Sequence, residues 1–270
     1  MIWILLFMIG LVGAMLGSLV GLGGGIIVVP ALLFVGTYTN LLPEVTPQLA
    51  VGTSIIILIV TGLSSTLSYL KQKKVDYKAG LIFFIGSGPG AYVGALVNKS
   101  IDLNVFYVCF GAFIIFISIV LSVRKYLKPS QKQLGAVRTY VDPSGETHTY
   151  QFQPVIAVVI SFFVGVLSGL FGIGGGSLMV PTMLILFRFP AQVAVATSML
   201  MVFLSAIVGS AAHIQLGNVQ WLWALALAPG AWIGAKLGAF LNHRLQVNTV
   251  ILVLRILLVV VGVRLIFQGL

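Results

Sequence analysis

Acidic side chains are nearly missing from this chain of 270 residues, which holds five Asp and Glu against fifteen Lys and Arg. Glu44, Asp76, Asp102, Asp142 and Glu146 all fall between apolar runs and none lies inside one. Carboxylates within a membrane span are what proton relays and cation sites are built from, so their absence disfavours a cation pump. Cysteine is scarcer still: Cys109 stands alone, which excludes an internal disulfide or a paired-thiol relay. Charge of either sign makes up 7% of the residues while 59% are hydrophobic, and the mean hydropathy is +1.14. That leaves too little polar surface for a soluble globule. Enzyme signatures are missing too: there is no HExxH, no buried Asp pair and no Ser with a basic neighbour in a glycine motif. No catalytic residue, metal site or cofactor is expected.

What is there is apolar and long. Runs cover 1–36, 47–70, 79–97, 103–123, 154–187, 191–216, 219–241 and 247–267, and most match the ~20 residues that a spanning helix needs. The segments are apolar on every face, without the period-two alternation of barrel strands, so the expected fold class is all-α, a polytopic membrane helical bundle. The N-terminal MIWILLFMIG has no basic stretch before its apolar run, and it is expected to remain in the mature protein rather than be cleaved as a signal peptide. A net charge of +10 would suggest nucleic acid in a soluble protein. Here Lys71, Lys73, Lys74, Lys78, Arg124, Lys125, Lys128, Lys132 and Arg138 cluster at segment ends, which reads as membrane orientation and contact with anionic lipid; no nucleic-acid partner is expected.

Three stretches repeat. GLGGGIIVVP begins at Gly21 and GIGGGSLMVP at Gly172, 151 positions later; PQLAVGTS at 47–54 returns as AQVAVATS at 191–198, and GPGAYVGA at 88–95 as APGAWIGA at 228–235. The chain therefore divides into a first membrane repeat (1–127), a polar cytoplasmic linker (128–153) and a second membrane repeat (154–270). Cytoplasmic loops carry excess Lys and Arg. The lysine-rich loop at 71–78 and the linker should be inside, while IQLGNVQ at 214–220 has no base and Arg188 and Arg244 lie in the flanking loops. That pattern fits inverted repeats. Inversion requires the first segment of each copy to return to the side it came from, as a helical hairpin of two short arms broken at the glycines, followed by three transmembrane helices.

A backbone break at membrane depth must be covered by protein or line a cavity. Helices starting at Gly25 and Gly176 could aim free N–H groups and a positive dipole end at an anion, so Gly23, Gly24, Gly25, Gly174, Gly175 and Gly176 are candidate substrate-binding residues. Close helix packing is the competing use of such small residues. The helix after each hairpin carries polar residues at matched places: Gln48, Thr53, Ser54 and Thr61 in one copy, Gln192, Thr197, Ser198 and Ser205 in the other. Their hydroxyls and amides could replace part of an oxyanion's hydration shell, or bond to their own backbone and hold helices together. His213, the one histidine in an apolar run, stands where the first copy has Tyr69 and could meet an anion or serve structurally.

With these paired glycine turns, the AVGTS and AVATS stretches, and the GPGAYVGA and APGAWIGA stretches, the chain resembles the TauE/SafE, or sulfite exporter, family of permeases over essentially its whole length except 128–153. The resemblance implies a multi-pass protein of the bacterial inner membrane that moves a small anion such as sulfite, sulfoacetate or another organosulfonate, outward, with the glycine turns falling on Gly21 to Gly25 and Gly172 to Gly176. The expected partners are that anion and membrane lipid, with the oligomeric state unknown. A non-transporting membrane scaffold or a permease of a different small anion are the other readings. A cysteine-lined path like that of related thiosulfate importers is not supported, since Val253 stands opposite Cys109 in the second copy.

Overall fold

The computed structural model describes residues 2–39, 42, 45–123, 136–141, 147–242 and 247–270. Among them the first half forms α1 (Ile2–Val20), α2 (Gly25–Tyr38), α3 (Pro47–Lys71), α4 (Tyr77–Lys99) and α5 (Leu103–Val123). A strand pair follows, β1 (Ala136–Val141) and β2 (Thr147–Phe152), and then α6 (Pro154–Phe171), α7 (Gly176–Ile185), α8 (Ala191–Gln215), α9 (Trp221–Leu241) and α10 (Val247–Gly269). Eight of these helices, all but α2 and α7, are long and apolar enough to cross a membrane. The protein is an all-α polytopic membrane bundle.

Local sequence sets the helix ends. Thr46 caps α3 by accepting from the Leu49 amide, with Pro47 at the first position, and Asp76 caps α4 by accepting from the Ala79 amide at 2.9 Å, each satisfying a donor that the helix cannot. Two arms break at the glycines. Gly24 and Gly175 precede α2 and α7 with left-handed φ of 80° and 63°, a backbone state that a β-carbon disfavours. The chain reverses there, so that Val28 at the start of α2 lies against Gly13 of α1.

The arms are less alike in length than the sequence suggests. α1 and α6 run to 19 and 18 residues and are candidate spans in themselves, whereas α2 and α7 have 14 and 10. The long arms owe their regularity to close packing on a partner helix. A β-carbon on Gly230, Gly234 or Gly238 of α9 would overlap the carbonyl oxygens of Phe7, Leu11 and Met15 of α1, and one on Gly86, Gly90 or Gly94 of α4 would overlap those of Val158, Phe162 and Val166 of α6. Backbones meet directly along these two seams, which is how helices associate where lipid supplies no hydrophobic drive. In both seams the paired numbers rise together, so α1 runs parallel to α9 and α4 parallel to α6.

At the centre, α3 and α8 are the most enclosed helices, with 72% of their apolar windows buried against 28% to 50% for the other spans. Exposed apolar residues such as Ile4, Phe163 and Leu225 face outward on the other helices, as a lipid-contacting surface requires. The antiparallel β1–β2 pair, in a stretch read from sequence as linker alone, folds onto one end of the bundle. Phe152 packs with Phe83 at 5.3 Å between ring centroids, and the Tyr150 hydroxyl donates to Asp76 Oδ2 at 2.8 Å. Arg124, Lys125, Lys128, Lys132, Asp142 and Glu146 lie outside the described residues, as do Glu44 and Arg244.

Candidate functional site

The two glycine turns have the same backbone shape. Positive φ occurs at Gly21, Gly23 and Gly24 and again at Gly172, Gly174 and Gly175, with values from 63° to 91°. Among the described residues, the amides of Gly24, Gly25 and Ile26 make no backbone hydrogen bond, nor do those of Gly174, Gly175 and Ser177. All six residues are buried. Unpaired amides are expected in the first turn of a helix, but water or a side chain usually meets them; here they sit inside the bundle at the positive ends of α2 and α7.

Long-range bonds lock each turn to the other half of the chain, and each has a mirror. Ser54 of α3 donates to the Gly172 carbonyl at 3.0 Å, and the Ser198 hydroxyl of α8 is shared between the Gly21 carbonyl at 3.1 Å and its own helix's Val195 carbonyl at 2.8 Å. Thr53 accepts the Gln220 amide and Thr197 the Asp76 amide, both at 3.1 Å. Within each half, the Tyr69 hydroxyl donates to the Ser18 carbonyl at 2.9 Å and His213 Nε2 meets the Gly169 carbonyl at 3.0 Å. Asn98 donates to Leu170 at 2.8 Å and Asn242 to Leu19 at 2.7 Å. Gly25 and Gly176 complete the lock, since a β-carbon on either would overlap the carbonyl oxygen of Gly172 or Gly21.

The turns meet at mid-bundle. A β-carbon on Gly23 would lie 3.1 Å from Leu58 Cδ2 and 3.3 Å from Val202 Cγ1, and one on Gly174 3.0 Å and 3.2 Å from the same two side chains. Leu58 and Val202, each twelfth in a helix of 25 residues, are 1% and 0% exposed. They fill the space between the turns. Thr61, one turn further along α3, is fully buried and its hydroxyl has no partner among the described residues; its counterpart Ser205 bonds to Ser87 of α4.

The candidate residues from sequence are thus distributed unevenly. Gly23 to Gly25, Gly174 to Gly176, Ser54 and Ser198 come together at the centre. Thr53 and Thr197 are committed to bonds between the halves, and His213 to a bond within its own half. Gln48 reaches the Ile101 carbonyl at 3.2 Å from the first turn of α3, and Gln192 occupies the first turn of α8; each is six residues, roughly 9 Å of helix, from its serine. Leu58, Val202, Asn98 and Asn242 went unnoticed in the sequence. The asparagine pair is visible there as a match at the same spacing as the serines, whereas an aliphatic pair inside apolar runs gives no signal.

The sulfite exporter TauE/SafE family model matches residues 6–265, nearly the whole chain. The chain belongs to the TauE/SafE family. It is accordingly a multi-pass membrane transporter of that type. The chain is 53% identical over 270 residues to the protein from Bacillus subtilis called "Probable membrane transporter protein YunE", covering 100% of this chain and 99% of that one. A second relative, a "Probable membrane transporter protein" of Methanocaldococcus jannaschii, is 30% identical over 268 residues, covering 96% and 93% of the two chains. A third, "Probable membrane transporter protein YjnA" of Bacillus subtilis, is 26% identical over 265 residues and covers 95% and 98%. No solved structure matches the chain.

Proposed function

We propose that this TauE/SafE transporter exports a small anion, sulfite, sulfoacetate or another organosulfonate, across a bacterial inner membrane, and binds it at mid-depth between the two glycine turns. The observation that carries this reading is the pair of buried helix starts whose amides have no backbone partner, at Gly24 to Ile26 and Gly174 to Ser177. N–H groups and dipole ends of this kind attract negative charge without a cation. The serine bonds to Gly21 and Gly172 occupy carbonyl oxygens that would otherwise present negative charge to the same space.

The two repeats, 1–127 and 154–270, are read as inverted copies. The registers support this: Thr53 with Gln220, Ser64 with Trp232 and Gln72 with Ala239 make α9 parallel to α3. Gly80 with Leu200, Ser87 with Ser205 and Tyr92 with Gln215 make α4 parallel to α8, and Gly62 with Phe203 and Ile55 with Gly209 make α8 antiparallel to α3, so α4 and its counterpart α9 are antiparallel. Transporters built this way carry substrate at the interface of the copies and move one against the other.

A packed centre by itself would suit a scaffold. Relatives bearing the name of probable membrane transporters favour instead a closed state of a carrier, in which Leu58 and Val202 fill the path until the halves move. The test is transport by purified protein in liposomes, with radiolabelled sulfite, sulfoacetate and taurine, with and without a pH gradient. Flux of at least one anion that Gly24→Leu and Gly175→Leu abolish supports the reading. Absence of flux for all three, with unchanged phenotypes in both variants, overturns it.

A further inference from the structure

Away from the glycine turns, a cavity of about 490 Å³ lies between the α3–α4 turn and the β1–β2 hairpin. Its walls are Lys73, Lys74 and Lys78 on one side and Thr139, Tyr140 and Tyr150 on the other, with Val193 of α8 below. The volume is within the range of small-molecule sites. Three cationic side chains meet one carboxylate, Asp76, and that carboxylate already accepts from the Ala79 amide and the Tyr150 hydroxyl. The wall is electropositive.

Lys74 is the telling residue. It is 4% exposed, lines the cavity, and has no ion pair or hydrogen bond from its side chain among the described residues. An ammonium drawn partly out of water without a partner is held at a cost that an anion in the cavity would offset. Desolvation draws the Lys74 pKa below the usual lysine value, as expected for a cation without its counter-charge. One further feature points the same way. The amides of Tyr77 and Lys78, in the first turn of the 23-residue α4, make no backbone bond, and both residues line the cavity.

We infer that this cavity is a phosphate-binding site, in which Lys74, flanked by Lys73 and Lys78 and roofed by the β-hairpin, takes the phosphate group of a free anion or of an anionic lipid headgroup. Hard, multivalent oxygen anions suit ammonium point charges and helix-start amides. The site is separate from the central one and holds whether or not the transport reading does. An occupied site would tie the hairpin to the α3–α4 turn, whose Asp76 amide donates to Thr197 of α8.

Equilibrium binding to the full chain in nanodiscs tests it, read by calorimetry and by hydrogen exchange at residues 72–80 and 147–152. In phosphatidylcholine discs, inorganic phosphate should bind and slow exchange in both segments. Lys74→Gln should weaken that binding about tenfold or more, the range for a hydrogen bond to a charged group, and the exposed Lys78→Gln, which spares the fold, should weaken it by a smaller factor. Protection that appears only when phosphatidylglycerol is present, and is lost in Lys74→Gln, assigns the site to a lipid headgroup and supports the proposal equally. No response to phosphate or to phosphatidylglycerol, or equal responses in wild type and both variants, overturns it. Transport is not read in this assay, so its failure and the failure of the central site are distinguishable.

Discussion

Ser54 and Gly172 are 118 positions apart in sequence, yet the serine hydroxyl donates to the glycine carbonyl at 3.0 Å at the centre of the bundle. Ser198 does the same to Gly21. Each half of the chain therefore holds the other half's backbone break in place, and neither turn has its full complement of bonds without the opposite repeat. This reciprocity explains how a helix can stop inside the bundle, where an unpaired carbonyl would be costly. The break is supported by protein from the other half of the chain.

The first prediction concerns that exchange. Ser54→Ala and Ser198→Ala should each cost about 1 kcal/mol of stability, the usual size of such a bond inside a membrane protein. Their effects should add to within about 0.5 kcal/mol, because the two bonds share no partner. Equilibrium unfolding of the single and double variants measures both quantities. A double variant no less stable than either single one would show that the carbonyls find other donors.

Glycine variants separate strain from contact. Gly217 has φ of 71° with nothing within 4 Å of an added β-carbon, so Gly217→Ala should cost about 1 kcal/mol, the left-handed penalty alone. Gly25 has ordinary helical geometry, but its β-carbon would overlap the Gly172 carbonyl oxygen. Gly25→Ala should cost more than Gly217→Ala, since backbone must shift to admit it. Melting midpoints in one detergent rank the pair. The opposite order would mean that the two turns are not packed against each other in solution.

The sequence made much of this architecture readable. Apolar runs of spanning length mark the long helices, and the offset between AVGTS and AVATS marks the duplication. Glycine runs mark where the chain reverses, because few other residues take positive φ. What could not be read is how far an arm continues before its turn. α1 reaches 19 residues because Gly10, Gly13 and Gly17 let it seat against α9 and α2, a property of partners remote in sequence. The same holds for Thr53 and Thr197, which read as ligand hydroxyls and are used to accept amides from loops more than 120 positions away. The β-hairpin was hidden in a segment that looks polar overall, although its runs of Thr, Tyr and Val around a Pro-Ser-Gly are the usual marks of a strand pair.

Thr61 offers a sharper test of the central site than the serines do. Its hydroxyl is buried and unbonded among the described residues, so Thr61→Val removes no hydrogen bond seen in the structure. The midpoint of unfolding should stay or rise. If the hydroxyl is held for the anion, transport should drop about tenfold, as for one hydrogen bond to a charged ligand. Stability and flux must be measured on the same preparation. Unchanged flux with raised stability would remove Thr61 from the path.

Leu58 and Val202 give the last prediction, because they fill the space between Gly23 and Gly174, where the proposed anion path runs. Leu58→Ala should cost about 2–5 kcal/mol, as truncation of a buried leucine usually does, while Leu58→Met keeps the volume and should cost less than about 1.5 kcal/mol. The two should differ in transport as well. Shortening the side chain opens the gap between Gly23 and Gly174, so anion efflux from loaded liposomes should rise and lose its dependence on any imposed gradient; the methionine variant should behave as wild type. Val202→Ala, at the matching twelfth position of α8, should leak in the same way to a smaller extent, since it removes less volume. A tight Leu58→Ala variant that still folds would place the path elsewhere, and the glycine turns would then be joints of the bundle and no longer walls of a channel.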